Sequence, residues 1–124
     1  MAAGTVTITE KNWGSVKKIK FAWVAGTAGD AGTASGATVN AYDGKLILLS
    51  TVPSVSAQPD DNYDITITDS DSVDLLAGNG ANRDETNTEF VTYANMGAVA
   101  GSALTINVSG AGASNEGTAY LYIR

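Results

Sequence analysis

The sequence contains no cysteine and no histidine. Without cysteine there is no disulfide framework, no thiolate metal site and no cysteine nucleophile. Without histidine the chain lacks the commonest general base, the commonest zinc ligand and the usual Ser-His-Asp arrangement. An enzyme built from the remaining residues would need a carboxylate pair, a lysine or a bound cofactor. We therefore predict a protein that is not an enzyme and that holds no cofactor.

Long apolar runs and basic residues are also scarce. The longest strongly apolar run, 46–49, is too short to span a bilayer. The opening MAAGTVTITE has neither the basic start nor the apolar core of a signal peptide. Lysine and arginine number 7 against 13 acidic residues, which gives a net charge of -6. This sign disfavours polyanions, so we expect no direct nucleic-acid partner and no membrane partner.

Apolar and polar residues alternate with a period of two along most of the chain, which is typical of half-buried strands. Helical periodicity is absent, and 124 residues suit a single β domain, 1–124. The pattern predicts an all-β fold, an antiparallel β-sandwich or small barrel of about eight strands. The predicted strands cover 5–9, 16–24, 38–42, 45–52, 63–68, 88–93, 103–109 and 118–124, with a short further strand at 73–77.

Three connections stand out between these strands. Residues 25–37 are almost free of large side chains and bury little apolar area, which predicts a mobile loop or an arm that orders on assembly. Asp43-Gly44 lies between two apolar stretches, which indicates a hairpin turn. Residues 97–101 are small and read as another turn.

Several residues are candidates for contacts with another chain. Four of the seven basic residues cluster early, at 11, 17, 18 and 20; they form either a solvated face or a basic patch that docks on an acidic surface. The run Leu46–Leu49 is apolar on both faces, so one face is expected in the core and the other partly in a subunit interface. Trp13, in a turn, is an exposed contact candidate, whereas Trp23 is expected in the core. Interface candidates are Lys17, Lys18, Lys20, Ile47, Leu49 and Arg83, the last of which otherwise forms a local salt bridge.

Acidic residues concentrate between Asp60 and Glu89, which hold nine of the thirteen. Asp69, Asp71 and Asp74 form a weak calcium candidate, but the EF-hand template fails at three of its positions. The plainer interpretation is a strand-end turn in which Asp69 and Asp71 accept backbone N–H bonds. A carboxylate pair for acid–base chemistry is the least specific alternative.

The segment NYDITITDSDSVDLLAGNGANRD resembles a group of small structural proteins of tailed bacteriophages. These carry a pattern like D-N-Y-D-[IV]-T-[IL]-x-D-x-D-x-x-D-[VIL]-L, followed by a glycine-rich step and A-N-R. The ending, with LTINV, a Gly/Ala loop and YLYIR, is similar too, and the resemblance covers roughly 43–124. One departure is Ser72, where the group often has glycine. The matching positions are Asp61, Asn62, Tyr63, Asp64, Ile65, Thr66, Ile67, Asp69, Asp71, Asp74, Leu75, Leu76, Ala81, Asn82 and Arg83.

The resemblance implies a virion component, and a capsid decoration or cement protein suits the sequence best. On that basis we expect a homotrimer that binds the major capsid protein on the capsid exterior, assembled in the host cytoplasm. The alternative is a tail or head-fibre module that binds host surface glycans, an interpretation that an exposed Trp13 would favour.

Overall fold

The computed structural model describes residues 3–124, and this part of the chain forms nine β-strands. Two short 3-10 turns, Ala28–Asp30 and Tyr93–Asn95, interrupt the strand pattern. No helix in residues 3–124 is long and apolar enough to cross a membrane. The strands are β1 (Thr5–Trp13), β2 (Val16–Val24), β3 (Ala34–Ala37), β4 (Tyr42–Pro53), β5 (Asp64–Thr68), β6 (Glu89–Thr92), β7 (Ala98–Ser102), β8 (Thr105–Ser109) and β9 (Glu116–Ile123).

The strands form a larger and a smaller sheet that enclose one core. The larger sheet has the order β1-β2-β9-β4-β6, with β7 also paired to β4, and the smaller sheet has the order β3-β8-β5. Every pairing between named strands is antiparallel. The predicted all-β antiparallel fold, a sandwich or small barrel, is therefore confirmed, with nine strands where about eight were expected.

The core is built from the residues that alternation places on the inner face of each sheet. β2 contributes Ile19, Phe21 and Trp23, all essentially buried, and the smaller sheet contributes Ile65 and Ile67 among others. Burying side chains of this size stabilises the fold by about 2 kcal/mol each. The Trp23 ring packs on the Tyr63 ring with centroids 5.4 Å apart. Trp23 is in the core, as the strand pattern predicts.

A β-bulge explains the apolar run in β4. Leu46 pairs with Ile123, but the register shifts before Leu48, which pairs with Tyr122. The extra residue turns both Leu46 and Leu49 inward, and both are fully buried. Leu49 therefore does not lie on the surface, and the expectation that it contacts another subunit is wrong. Ile47, at the bulge, is half-buried.

The Asp43-Gly44 dipeptide does not form a hairpin turn. Both residues lie inside β4, where Gly44 has φ 135 and where the ladder to β7 is irregular. No separate strand forms at 38–42 ahead of them, because Thr38 and Glu10 hold that segment as a turn. The Thr38 hydroxyl donates to the Asn40 carbonyl, and the Val39 amide donates to the Glu10 carboxylate.

Small residues form strands in two places where the sequence indicated open loops. β3 occupies the end of the 25–37 segment and pairs with β8, and Ala34 is buried. Gly36 permits this because a Cβ there would lie 2.9 Å from the Val6 Cβ. Residues 98–102 form β7 against β4. In contrast, 73–77 is a turn that makes only a single bridge, Thr68 to Asp74.

Candidate functional site

The acidic corner after β5 uses its carboxylates to hold backbone. One Asp69 oxygen accepts from the amides of Asp71 and Val73, at 3.0 and 3.1 Å. Asp74 accepts three amides, from Ile67, Leu76 and Gly78, at 3.3, 3.1 and 3.0 Å. The turn therefore relies on Asp69 and Asp74, whereas Asp71 is exposed at its apex.

These carboxylates do not converge on a common point. No group of three or more acidic side chains within residues 3–124 is arranged to hold a metal ion. Both oxygens of Asp74 and one oxygen of Asp69 already face amide donors, which is the use of aspartate that closes tight turns. The geometry of the weak calcium candidate is that of a structural turn.

The loop that follows is held in the same way. The Asn82 amide donates to Asp64, and the Arg83 amide donates to the Tyr63 carbonyl at 2.7 Å. The Arg83 guanidinium lies 3.7 Å from Glu89 and donates to the Ala81 carbonyl. The Arg83 side chain is only 12% exposed. This interface candidate is therefore occupied within its own chain.

The loop that follows Arg83 contains a carboxylate, Asp84, whose pKa is lowered. The backbone amides of Thr86 and Asn87, together with the Asn87 side chain, hold the pKa of Asp84 at about 2, well below its usual range. On β1, the Glu10 carboxylate accepts from the Tyr42 hydroxyl and from the Val39 and Asn40 amides. Burial opposes ionisation of Glu10, but these bonds outweigh it and lower its pKa. Both groups brace loops.

The outer face of the larger sheet has the opposite character. Alternation places three rows of side chains on it, and the strand register decides which residues are neighbours. One row across the five strands contains Thr9, Lys20, Tyr120, Ser50 and Phe90. The next row contains Lys11, Lys18, Tyr122, Leu48 and Thr92. A third row, nearer the other end of the sheet, contains Thr7, Ala22, Thr118 and Val52.

Lysines and aromatic rings meet on this face. The Lys18 ammonium lies 5.0 Å from the Tyr120 ring centroid and 5.7 Å from the Tyr122 ring centroid, which are cation–π distances. Lys20 is exposed beside them. Lys17 points elsewhere and donates to the Asp43 carbonyl at 3.0 Å. Of the predicted basic patch, the structure brings Lys11, Lys18 and Lys20 together and separates Lys17 from them.

A surface pocket of about 390 Å³ opens at the β1 end of this face. Trp13 stands at its rim, with 69% of the residue exposed, as expected. It is the last residue of β1 and pairs with Val16, so the prediction that it lies in a turn is wrong. No carboxylate of the described residues lines the pocket, because Glu10 on the same strand points to the other side of the sheet. The lining residues are Thr9, Lys11, Trp13, Lys18, Lys20 and Tyr120.

The other edge of the same sheet presents two further aromatic residues. Phe90 on β6 is 60% exposed, and Tyr93 just after the strand is 64% exposed. β6 is the last strand of the sheet and, among the strands described, pairs only with β4. Half of its backbone groups therefore face outward, which leaves an open sheet edge. Along a flat sheet, four strand spacings, about 19 Å, separate this edge from β1, and two spacings, about 10 Å, separate it from Tyr120 on β9 at the near side of the pocket.

The comparisons with known proteins leave the family open. No family model matches the chain, and no curated protein matches it in sequence. Among solved structures, FlhE is 8% identical, with a TM-score of 0.41, over 90% of this chain and 99% of that one. A low-affinity xylan-binding module from Roseburia intestinalis is 6% identical, with a TM-score of 0.37, over 96% of this chain and 84% of that one.

A viral protein is also among the solved structures. The enzymatically active domain of tailspike protein 4 of bacteriophage CBA120 is 14% identical, with a TM-score of 0.36. The match covers 98% of this chain but only 19% of the tailspike chain. All three TM-scores lie below 0.5, so we draw no functional conclusion from these similarities.

Sequence reasoning missed Tyr120 as a neighbour of the lysines, and it missed Phe90 and Tyr93 as exposed aromatic residues. The alternation of β9 separates Tyr120 from Leu121 correctly, and the tyrosine side does face outward. The strand order that brings β9 beside β2 and β4 beside β9 is not visible in local patterns, since it depends on long-range pairing. That order places Tyr120 next to Lys18 and Lys20.

Proposed function

We propose that the protein is a non-enzymatic structural protein of a tailed-phage virion, a decoration protein that binds the major capsid protein and stabilises the head. The observation that carries this proposal is the structural role of the motif at 61–83 that resembles the phage proteins. Asp64, Asp69 and Asp74 each accept backbone amides of neighbouring turns, and Tyr63 is buried in the core. The segment that carries the resemblance therefore supports the fold, as we expect in a virion structural protein.

A position on the capsid exterior requires a docking surface, and we assign it to the open β6 edge. Phe90 and Tyr93 are large, exposed aromatic side chains next to unpaired backbone groups of β6. Aromatic anchors dominate the energetics of many protein interfaces, and an open strand edge can accept a further strand. The partner is the major capsid protein, and the resemblance adds that the protein acts as a homotrimer.

The proposal is tested on particles produced by the genome that encodes the chain. Particles with the protein should survive heating that opens particles without it, and the purified protein should have the mass of a trimer in solution. Replacing Phe90 and Tyr93 by serine should abolish binding to protein-free particles, whereas Val55→Ser, which changes a 98% exposed residue elsewhere, should not. A monomer whose absence leaves particle stability unchanged would contradict the proposal.

A second candidate function is a tail or head-fibre module that binds host surface glycans. The pocket beside the exposed Trp13 favours it, because exposed indole rings provide a flat apolar surface for sugar rings. Binding to a glycan array, lost in Trp13→Ala, would support this candidate. An array on which the protein gives no signal would remove it.

A further inference from the structure

The pocket at the β1 end of the outer face has an unusual charge for this protein. Three of its six lining residues are lysines, on a chain with a net charge of -6. Within residues 3–124 the only ion pair joins Arg83 to Glu89, so none of these lysines is neutralised by a carboxylate. Their registered positions, Lys11 opposite Lys18 and Lys20 opposite Thr9, bring three like charges onto adjacent strands. An anion at this point would relieve their mutual repulsion.

The remaining lining residues indicate what kind of anion fits. Trp13 and Tyr120 supply two aromatic rings, and Thr9 supplies a hydroxyl. The Lys18 ammonium lies over the Tyr120 ring, so this contact holds the ammonium beside the aromatic surface. A small site with aromatic surface, the hydroxyls of Thr9 and Tyr120 and three ammonium donors suits a ligand with an apolar face, several hydroxyls and a negative group.

We propose that this pocket binds an acidic saccharide, with a sugar carboxylate at Lys18 and Lys20 and a sugar ring against Trp13. A pocket of about 390 Å³ lies within the usual range for small-ligand sites and has room for one or two sugar residues. Trp13 lies on β1, four strands from the β6 edge, so a protein docked on a capsid through that edge would still present the Trp13 end of the site. The inference names the ligand class of the second candidate function and rests on it.

Single-stranded nucleic acid is the other polyanion that lysines and aromatic rings bind. Two features favour the saccharide. The chain carries a net negative charge, which repels a long phosphate backbone, and the lysines are confined to one pocket rather than a groove that could follow a strand. An oligonucleotide is therefore included in the test as a competing ligand.

The test uses the full chain labelled with ¹⁵N, titrated with 3′-sialyllactose and, separately, with lactose. These ligands differ only by the acidic sugar, so the comparison isolates the carboxylate-bearing residue. The indole N–H signal of Trp13 should shift with sialyllactose, while that of Trp23, which is 1% exposed, should not. Lactose should bind at least about tenfold more weakly, since it cannot make the charge-assisted contacts.

Variants separate the pocket from the rest of the surface. Trp13→Ala should abolish binding, and Lys18→Gln and Lys20→Gln should each weaken it about five- to tenfold. Lys17→Gln is the matched control, because it removes the same charge from the same strand at a side chain that points away from the pocket. Its affinity should stay within about twofold of wild type, and added salt should weaken wild-type binding.

Each contrary outcome has a distinct meaning. Equal binding of lactose and sialyllactose at Trp13 would overturn the acidic-saccharide inference and leave the glycan-binding candidate standing. Tighter binding of oligothymidylate would overturn it by identifying a different class of anion. Failure of every saccharide to shift Trp13 would remove both the inference and the glycan-binding candidate, and would leave the capsid-binding proposal to its own test.

Discussion

The phage-like segment and the outer face of the larger sheet use their polar side chains in opposite ways. In the segment 62–84, aspartates accept backbone amides and Arg83 is paired inside its own chain. On the outer face, Lys18 and Lys20 have no carboxylate partner among residues 3–124, and three aromatic residues, Trp13, Phe90 and Tyr93, remain exposed beside or beyond them. Carboxylates that stand out in a sequence can therefore serve to hold the backbone, while strand alternation can produce an exposed surface of lysines and aromatic rings.

The largest expected effect tests how tightly the phage-like segment is packed. A Cβ at Gly80 would lie 2.1 Å from the Ile65 carbonyl oxygen and 2.7 Å from the Leu76 side chain. Gly80→Ala should therefore lower the free energy of unfolding by about 3 kcal/mol. The backbone cannot move aside without breaking the hydrogen bond that the Ile65 amide donates to the Gly80 carbonyl. Urea unfolding followed by circular dichroism measures this.

The control for that change is Gly78→Ala two residues earlier. Gly78 has φ 81, but no atom lies within 4 Å of the place that an added Cβ would take, so only conformational strain of about 1 kcal/mol is expected. Equal losses at the two glycines would show that packing around Ile65 is not what fixes this loop.

The second prediction removes the carboxylate that closes the turn after β5. Asp74→Ala leaves the amides of Ile67, Leu76 and Gly78 without their acceptor and should cost about 2 kcal/mol of unfolding free energy. Asp71→Ala is the matched control at the exposed apex of the same turn and should change stability by less than about 0.5 kcal/mol. A loss at Asp71 as large as that at Asp74 would contradict the turn geometry.

The third prediction sharpens the comparison from the other side. Trp13→Ala and Lys20→Gln change exposed side chains on the outer face. They should alter the unfolding free energy by less than about 0.5 kcal/mol, because exposed positions away from caps and cores contribute little. If either change destabilised the fold as much as Asp74→Ala does, the outer face would be a structural element and the contrast between the two regions would fail.

The last prediction concerns pH. Since the pKa of Asp84 is lowered to about 2 in the folded protein from an ordinary 3.8, its contribution to stability is complete above pH 4 and is lost as pH falls toward 2. Asp84→Asn should flatten that part of the stability profile. A ¹³C carboxyl titration that placed the pKa of Asp84 at its ordinary value would refute the assignment.

The sequence predicted the strands that carry clear alternation and failed where small residues decide. β2, β5 and β9 follow from Ile19-Phe21-Trp23, Ile65-Ile67 and Leu121-Ile123, each of which the structure buries. β3 and β7 were missed because alanine and glycine give no periodic signal, although they allow close approach of neighbouring strands, as Gly36 does against Val6. The bulge in β4 was missed because it depends on the partner strand β9.

For the candidate site, the sequence supplied the parts but not their arrangement. Lys18 and Lys20 follow from the alternation of β2, and the exposure of Trp13 was expected although its place in β1 was not. The neighbourhood of Tyr120 depends on β9 lying between β2 and β4, an order set by long-range pairing. Local patterns also failed at Leu49, which was expected at an interface but which the bulge turns into the core.

An electron-microscopy map of particles made by the genome that encodes this chain tests the account most directly. The account predicts density for the nine-stranded domain on the capsid exterior, with Phe90 and Tyr93 against the major capsid protein and the Trp13 pocket open to solvent. Particles that lack the chain, or a map in which the phage-like segment rather than the β6 edge contacts the capsid protein, would contradict it.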